Sequence, residues 1–133
     1  MLRLLGICVF ALMLSGCSSL LYHPRHDLFY DPAKLNLKPQ DVEFASDDGT
    51  LLHAWYFEGK QPSRGMIVFF HGNGENLTSH YLTLLFVLEH GFDFFIFDYQ
   101  GYGKSDGFAS PSGTIADGKA ALRRAYQIKP DLP

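Results

Sequence analysis

The chain has 133 residues, of which 47% are hydrophobic and 19% are charged. This composition is typical of one packed globular domain and excludes a largely disordered chain. The 11 basic side chains are outnumbered by 14 acidic ones and, apart from Arg123-Arg124, stand singly, so no basic stripe could follow a phosphate backbone. Nucleic acid is therefore not expected as a partner.

Residues 1–16 are typical of a targeting signal. Arg3 supplies a positive end, and the apolar run over residues 4–14 is too short to span a bilayer. Small residues follow, and Leu14-Ser15-Gly16-Cys17 resembles the lipobox of bacterial lipoproteins, in which the cysteine is acylated and becomes the first residue after cleavage. The alternative is an ordinary secretory signal with a chance cysteine.

The lipobox resemblance implies that acylated Cys17 anchors the chain to membrane lipid. Cys8 would leave with the signal, so the exported part would have no disulfide. Several acyl chains anchor stably because each buried methylene contributes ~0.8 kcal/mol. Ser18 stands where lipoproteins retained at the inner membrane commonly have Asp, so we expect the cell envelope and, within it, the outer membrane.

Residues 17–40 are predicted to form a tether. The segment contains Pro24, Pro32 and Pro39 and shows neither helical nor strand periodicity. Its aromatic residues are expected to pack on the flank of the following domain, and they are Tyr22, Phe29 and Tyr30. The domain itself is predicted over residues 41–133.

A β-hairpin is predicted at the start of this domain. Val42-Glu43-Phe44 alternates between apolar and polar residues, Asp48-Gly49 is a turn dipeptide, and residues 51–57 would form the return strand. In that strand Trp55 would share a face with His53 and Phe57. His53 is therefore interpreted as a strand residue rather than a ligand.

Three blocks then predict a parallel βαβ unit. Residues 66–70 and 92–97 are apolar runs, the second of which leads into Asp98, and residues 77–89 between them resemble a helix. Strands that are apolar on both faces are typical of parallel sheets covered by helices. Asn76 is the expected N-cap of the helix, and Gly91 is its expected end.

A last helix is predicted from about Thr114 to Ile128, and Pro130 would end it. Its apolar face would consist of Ile115, Ala121, Leu122 and Ala125.

Two motifs follow the two parallel strands. The first is Phe70-His71-Gly72-Asn73-Gly74-Glu75-Asn76, and the second, D-Y-Q-G-Y-G-K-S-D-G, begins at Asp98. In this order, about one helix apart, they resemble the α/β-hydrolases, most closely the membrane-associated serine hydrolases with an H-G-N-G turn and a D-Y-R-G-Y-G-x-S-x-G segment. The resemblance covers residues 41–133. It implies an α/β fold that is the amino-terminal portion of an α/β-hydrolase, with an incomplete sheet.

The resemblance also implies an anion-stabilising role for the first motif. In acyl transfer the carbonyl oxygen becomes negative, and one preorganised backbone N–H lowers the barrier by about 3 kcal/mol. The family match assigns this oxyanion-hole donor to Asn73, in a loop supported by His71, Gly72 and Gly74. A tight turn without a substrate role is the alternative. Gln100 stands where the family usually has Arg, which puts the ion pair of that Arg in doubt.

Ser105 fits the G-x-S-x-G pattern of a nucleophile elbow. An elbow requires the serine at a sharp turn between a strand and an immediately following helix. Here four residues separate Asp98 from the pattern, and a loop-like sequence follows it. We therefore do not interpret Ser105 as the nucleophile. Asp98 and Asp106 are interpreted as residues that structure the loop.

In this fold the catalytic residues follow in the order Ser, Asp or Glu, His. All the histidines precede the expected nucleophile; they are His23, His26, His53, His71, His80 and His90. We therefore expect the amino-terminal fragment of an exported, lipid-anchored serine hydrolase for an ester, thioester or amide, inactive alone. The alternatives are a short non-catalytic lipoprotein that acts as a binding module, and assembly with a separately encoded carboxy-terminal half.

No metal or cofactor is expected. His71 and His80 lie nine residues apart with Glu75 between them, which matches no metal-ligand spacing. The turn at Gly72 and Gly74 lacks the lysine of a P-loop. Hydrolysis in the family uses only side chains and water.

Overall fold

A computed structural model describes residues 21–131. Its single sheet has the strand order β1-β2-β4-β3, with β1 at Gln40–Ala45, β2 at Leu51–Phe57, β3 at Met66–Phe69 and β4 at Asp93–Phe97. β1 and β2 form an antiparallel hairpin, β4 is antiparallel to β2, and β3 is parallel to β4. The predicted order of a hairpin followed by a parallel βαβ unit is confirmed. The predicted signal and Cys17 lie outside the described residues.

The strands at the two ends of the βαβ unit are each one residue shorter than predicted. β3 ends at Phe69 rather than Phe70, and β4 begins at Asp93 rather than Phe92. All residues of β4 are buried because it lies between two other strands, whereas β3 is half-buried at the edge of the sheet.

The stretch predicted as one helix over residues 77–89 consists of three short segments. They are α1 (Leu77–His80), a 3-10 turn (Tyr81–Leu84) and α2 (Phe86–Glu89). Threonine and valine occur in this stretch and have low helix propensity, which weakens a continuous helix. The ends are as predicted: the Asn76 side-chain oxygen accepts the Thr78 N–H at 2.9 Å, and Gly91 has a φ of +79°.

The last helix, α3 (Pro111–Ile128), begins three residues before the predicted start. Ser110 caps it by accepting the Gly113 N–H at 3.0 Å, and a proline is well suited to the first helical position. The predicted apolar face was half wrong. Ala121 and Ala125 are buried, but Ile115 is 62% exposed and Leu122 is 50% exposed.

Small residues explain which face of α3 is buried. A Cβ at Gly118 would lie 2.8 Å from the Phe70 ring, so the helix can approach the sheet closely only without a side chain there. Ala120 and Ala121 are also buried on that side. Large side chains such as Ile115 are consequently turned outward.

The sheet has a hydrophobic cluster on each face. Phe95 and Phe97 of β4 point toward α3, whereas Phe94 and Ile96 point toward α1 and α2. Trp55 and Phe57 lie in the second cluster, on the shared face that alternation predicted. Both faces are thus covered, as a sheet with buried central strands requires.

The segment before β1 lies against the domain. Within it, Pro32–Leu35 forms a 3-10 turn that the sequence analysis did not predict, and the Asp31 side chain caps it through the Ala33 N–H at 2.9 Å. Tyr22 packs against the cluster under α3, whereas Tyr30 is exposed. Within residues 21–131 no helix is both long and apolar enough to cross a membrane.

Replacing Phe95 with Ala should reduce the free energy of unfolding by about 3–5 kcal/mol, because this ring is fully buried in the middle of the sheet. The matched control is Phe86→Ala, at an exposed ring of α2, which should change stability by no more than about 0.5 kcal/mol. Urea titration of both variants measures the difference. Equal losses would contradict the packing described here.

Candidate active site

The loop between β3 and α1 carries the first motif at the carboxyl end of β3. His71 is buried, with its Nδ1 atom 2.8 Å from the Gly72 carbonyl oxygen. Gly74 has a φ of +90°, a backbone conformation that favours glycine. Asn73 is exposed, and no group of residues 21–131 accepts a hydrogen bond from its backbone N–H. As far as these residues extend, that N–H is available to an external acceptor.

The Asn73 side chain holds this loop to two other parts of the chain. Its Oδ1 atom accepts the Tyr102 hydroxyl at 2.7 Å and the His23 N–H at 3.0 Å. Its Nδ2 atom donates to the Leu21 carbonyl oxygen. The sequence analysis predicted none of these three contacts, because no local pattern connects residues that lie about 30 or 50 positions apart.

Asp98 is the buried carboxylate on which the loops converge. Its Oδ1 atom accepts the Leu77 N–H at 2.7 Å and lies 3.5 Å from His71 Nε2. Its Oδ2 atom lies 3.8 Å from His53 Nδ1. Burial alone would raise the pKa of Asp98, but the contacts with His53, His71 and the Leu77 N–H outweigh it and lower the pKa. Asp98 thus remains ionised and joins β2, β4 and the Asn73 loop.

His53 connects this carboxylate to β1. Its side chain is buried, and Nε2 lies 2.6 Å from Asp41 Oδ1. Burial lowers the pKa of His53, yet the two neighbouring carboxylates, Asp98 and Asp41, outweigh both burial and the repulsion by Lys104, so that the pKa is raised. His53 is therefore a strand residue with an electrostatic role.

Ser105 lies in the loop between β4 and α3. Its Oγ atom donates to the Asp98 carbonyl oxygen at 2.7 Å and accepts the His53 N–H at 3.0 Å. The hydroxyl is buried, and no helix begins until Pro111. This geometry is that of a loop-bracing serine and not of a nucleophile elbow.

Two further residues of the second motif, Asp106 and Gln100, also brace the loop. The Asp106 backbone donates to the Leu51 carbonyl oxygen and accepts the Gly101 N–H, both at 2.9 Å. Gln100 Nε2 donates to Asp48 Oδ2 and Asp117 Oδ1, each at 3.0 Å. The glutamine thus places a neutral donor between two carboxylates, where an arginine would form ion pairs. The sequence analysis did not anticipate the buried Asp117.

A cavity of about 440 Å³ lies between the amino-terminal segment and β2, and Asp98 is among its lining residues. His53, Asp41 and Trp55 line it, but Asn73 does not. His71 and His80 stack with ring centroids 5.3 Å apart, and neither of them lines this cavity. In the described part of the chain, no group of three or more His, Cys, Asp or Glu side chains could hold a metal ion.

Gly103→Ala should destabilise the protein by at least about 3 kcal/mol, because a Cβ there would overlap the Asp98 carboxylate. Gly49→Ala is the matched control: this glycine also has a positive φ, but no atom lies within 4 Å of its Cβ position. Its cost should be about 1–2 kcal/mol, from the backbone conformation alone. Denaturant titration that found equal costs would contradict the close approach to Asp98.

The raised pKa of His53 predicts a pH dependence of stability. Its protonated form is stabilised in the folded state, so the contribution is complete below the pKa of an unfolded histidine, ~6.5, and is lost as the pH rises through the folded pKa. The melting temperature should therefore fall above pH 6.5, and His53→Gln should flatten this fall. His90→Gln, at an exposed histidine, is the control that should retain it. An unchanged slope in His53→Gln would contradict the assignment.

Known proteins resemble this chain over much of its length. YfhR of Escherichia coli, an uncharacterized protein, is 32% identical over 105 residues, which cover 76% of this chain and 36% of that protein. The α/β-hydrolase domain-containing protein WAV2 of Arabidopsis thaliana is 38% identical over 94 residues, which cover 68% of this chain and 30% of that protein. The chain thus spans less than half the length of these relatives. A search of protein-family models found no match.

Solved structures show the same fold. The Pyrococcus furiosus esterase Pf2001 superposes with a TM-score of 0.69 at 24% identity, covering 82% of this chain and 42% of that chain. A thermostable carboxyl esterase of Bacillus coagulans superposes with a TM-score of 0.62 at 24% identity, covering 73% and 34%. The chain therefore belongs to the α/β-hydrolase superfamily, and its described residues form the amino-terminal part of that fold.

Proposed function

We propose that this chain is the amino-terminal part of an exported, lipid-anchored serine hydrolase that cleaves carboxylic esters. The observation that carries the proposal is the Asn73 N–H, which has no acceptor among residues 21–131 and lies in a loop fixed on several sides. The esterases among the structural neighbours favour an ester over a thioester or an amide. They also favour a hydrolase over a non-catalytic binding module.

Ester hydrolysis needs a place for developing negative charge. A serine Oγ adds to the ester carbonyl carbon while its proton passes to a histidine, and the carbonyl oxygen becomes an oxyanion. The Asn73 N–H would donate to this oxygen together with the N–H of the residue after the nucleophile. The alcohol leaves with the proton from the histidine, and water then releases the carboxylic acid and restores the serine. We propose that the serine, the acid and the histidine lie in sequence after Pro133.

The anchor is the second part of the proposal. Leu14-Ser15-Gly16-Cys17 supports acylation of Cys17 after removal of residues 1–16, and Ser18 favours the outer membrane. The membrane partner would be the lipid into which these acyl chains insert. The substrate-binding pocket would be completed by the sequence that follows.

A fluorophosphonate probe, which reacts covalently with activated serines, tests this function. The gene should be read through codon 133 and the whole product expressed. We expect an apolar strand, a second G-x-S-x-G and then Asp and His after Pro133, with the probe on that second serine. Ser105→Ala should still be labelled. Unrelated sequence after codon 133, a label on Ser105, or neither labelling nor hydrolysis of a short-chain nitrophenyl ester would contradict the proposal.

Tyr102→Phe should lower kcat of that whole product about fivefold and leave KM nearly unchanged. The variant removes one hydrogen bond to Asn73 Oδ1, worth about 1 kcal/mol, while the side chain stays in place. Tyr99→Phe is the matched control, since the Tyr99 hydroxyl makes no side-chain hydrogen bond within the described residues. Equal kcat values in the two variants would contradict a positioning role for Tyr102.

A further inference from the structure

We infer that the carboxyl end of the sheet, with the Asn73 loop, faces the lipid bilayer, and that the ester cleaved there belongs to a membrane lipid. The inference rests on the proposed function and names its substrate class. It comes from the path of the amino-terminal segment between the proposed anchor and the site.

This segment crosses the carboxyl end of the sheet and is bound on both sides. On the β3 side, the Leu21 carbonyl oxygen and the His23 N–H bond to the Asn73 side chain, and the Arg25 N–H donates to the Glu75 carbonyl oxygen at 3.3 Å. On the β4 side, the Arg25 carbonyl oxygen accepts the Gly103 N–H at 3.0 Å. The beginning of the segment is thus fixed directly beside the proposed oxyanion site.

The position of Cys17 then limits the distance between the site and the membrane. Cys17 precedes Leu21 by four residues and His23 by six. An extended residue spans at most ~3.6 Å, so Leu21 lies within about 14 Å of the anchor and His23 within about 22 Å. The headgroup layer that holds the lipid esters is itself about 5–8 Å thick. The short connection to the proposed anchor therefore confines the Asn73 loop to the neighbourhood of that layer.

The carboxyl end of the sheet carries exposed apolar side chains near the segment that leads from the anchor. Leu21 is 60% exposed, Leu28 is 62% exposed and Phe108, in the loop after β4, is 87% exposed. Apolar side chains gain free energy in a membrane interface, so these residues favour the same orientation as the anchor.

Energy transfer from single labels to the bilayer tests the orientation. Cys8 would be removed and Cys17 acylated, so a cysteine introduced at Lys104 or at Gln61 is the only free thiol of residues 17–133; any cysteine in the sequence that follows is replaced by Ser. Lys104 is exposed at the carboxyl end, whereas Gln61 is exposed between β2 and β3. The lipidated protein is placed in phosphatidylethanolamine and phosphatidylglycerol vesicles that carry a lipid-bound acceptor. Transfer should be clearly stronger from K104C than from Q61C; equal transfer, or the reverse order, would overturn the inference.

A linker insertion tests the substrate class. Ten Gly and Ser residues inserted after Ser19 would add about 17 Å of reach and release the site from the membrane. In the whole product of the gene, hydrolysis of a soluble nitrophenyl ester should stay unchanged, while hydrolysis of a phospholipid ester in vesicles should fall at least threefold. An unchanged rate on vesicles, or no vesicle hydrolysis before the insertion, would overturn the inference.

The same experiments separate this inference from the function on which it rests. Mass spectrometry of the amino-terminal peptide should find acyl chains on Cys17, and the soluble ester should be hydrolysed. A Cys17 without acyl chains, or an enzyme inactive on the soluble ester, would overturn the proposed function and this inference with it. An acylated, active enzyme with the wrong label order would overturn the inference alone.

Discussion

The buried carboxylate of Asp98 is the group on which the arrangement of this site depends. It stands at the carboxyl end of β4, one of the two strands with neighbours on both sides, and accepts the first N–H of α1. His53 of β2 and His71 of the loop after β3 lie against it. An ionised carboxylate in such surroundings needs compensating groups, and losing one of them would make its burial more costly. The electrostatics of one side chain thus hold β2, β4 and the Asn73 loop in a common position.

Besides Asp98, two segments outside the sheet hold the Asn73 loop in place. Tyr102 reaches it from the loop after β4, and the amino-terminal segment reaches it through Leu21 and His23. A donor for a transition-state oxyanion is effective when it is already in place before charge develops, because no reorganisation is then required. The hydrogen bonds of the Asn73 side chain thus hold its backbone N–H in a fixed position. They also make the residues that follow the proposed anchor part of the site.

The sequence predicted the fold where local pattern and tertiary environment agree. Uninterrupted apolar runs indicated β3 and β4, and Asn76 and Gly91 marked the ends of the helical stretch between them. The prediction was wrong where side-chain packing overrides the apolar periodicity of the sequence. In α3, Gly118 allows close contact with Phe70, so the face with the small residues is buried and Leu122 is turned outward. An apolar period is recognised mainly from large side chains, and it therefore predicted the wrong face of α3 as the buried one.

The candidate site was predictable only in part for a related reason. Resemblance to a family assigned the oxyanion donor to Asn73, which stays a prediction. The loop-like sequence around Ser105 set that residue aside as a nucleophile, and the Ser105 hydroxyl is bonded to the Asp98 carbonyl oxygen and the His53 N–H. The contacts that position Asn73 join residues far apart in the chain, and no spacing in a single sequence encodes them. The hydrogen bond between Gln100 and Asp117 was not predicted, because a carboxylate in a helix is ordinarily exposed.

The central claim is that the Asn73 N–H stabilises an oxyanion. A crystal structure of the whole gene product, covalently modified by a phosphonate at its reactive serine, tests it most directly. The phosphonyl oxygen imitates the oxyanion, and the account predicts that it lies about 3 Å from the Asn73 nitrogen. A phosphonyl oxygen bound to other donors, with the Asn73 N–H facing solvent, would contradict the account.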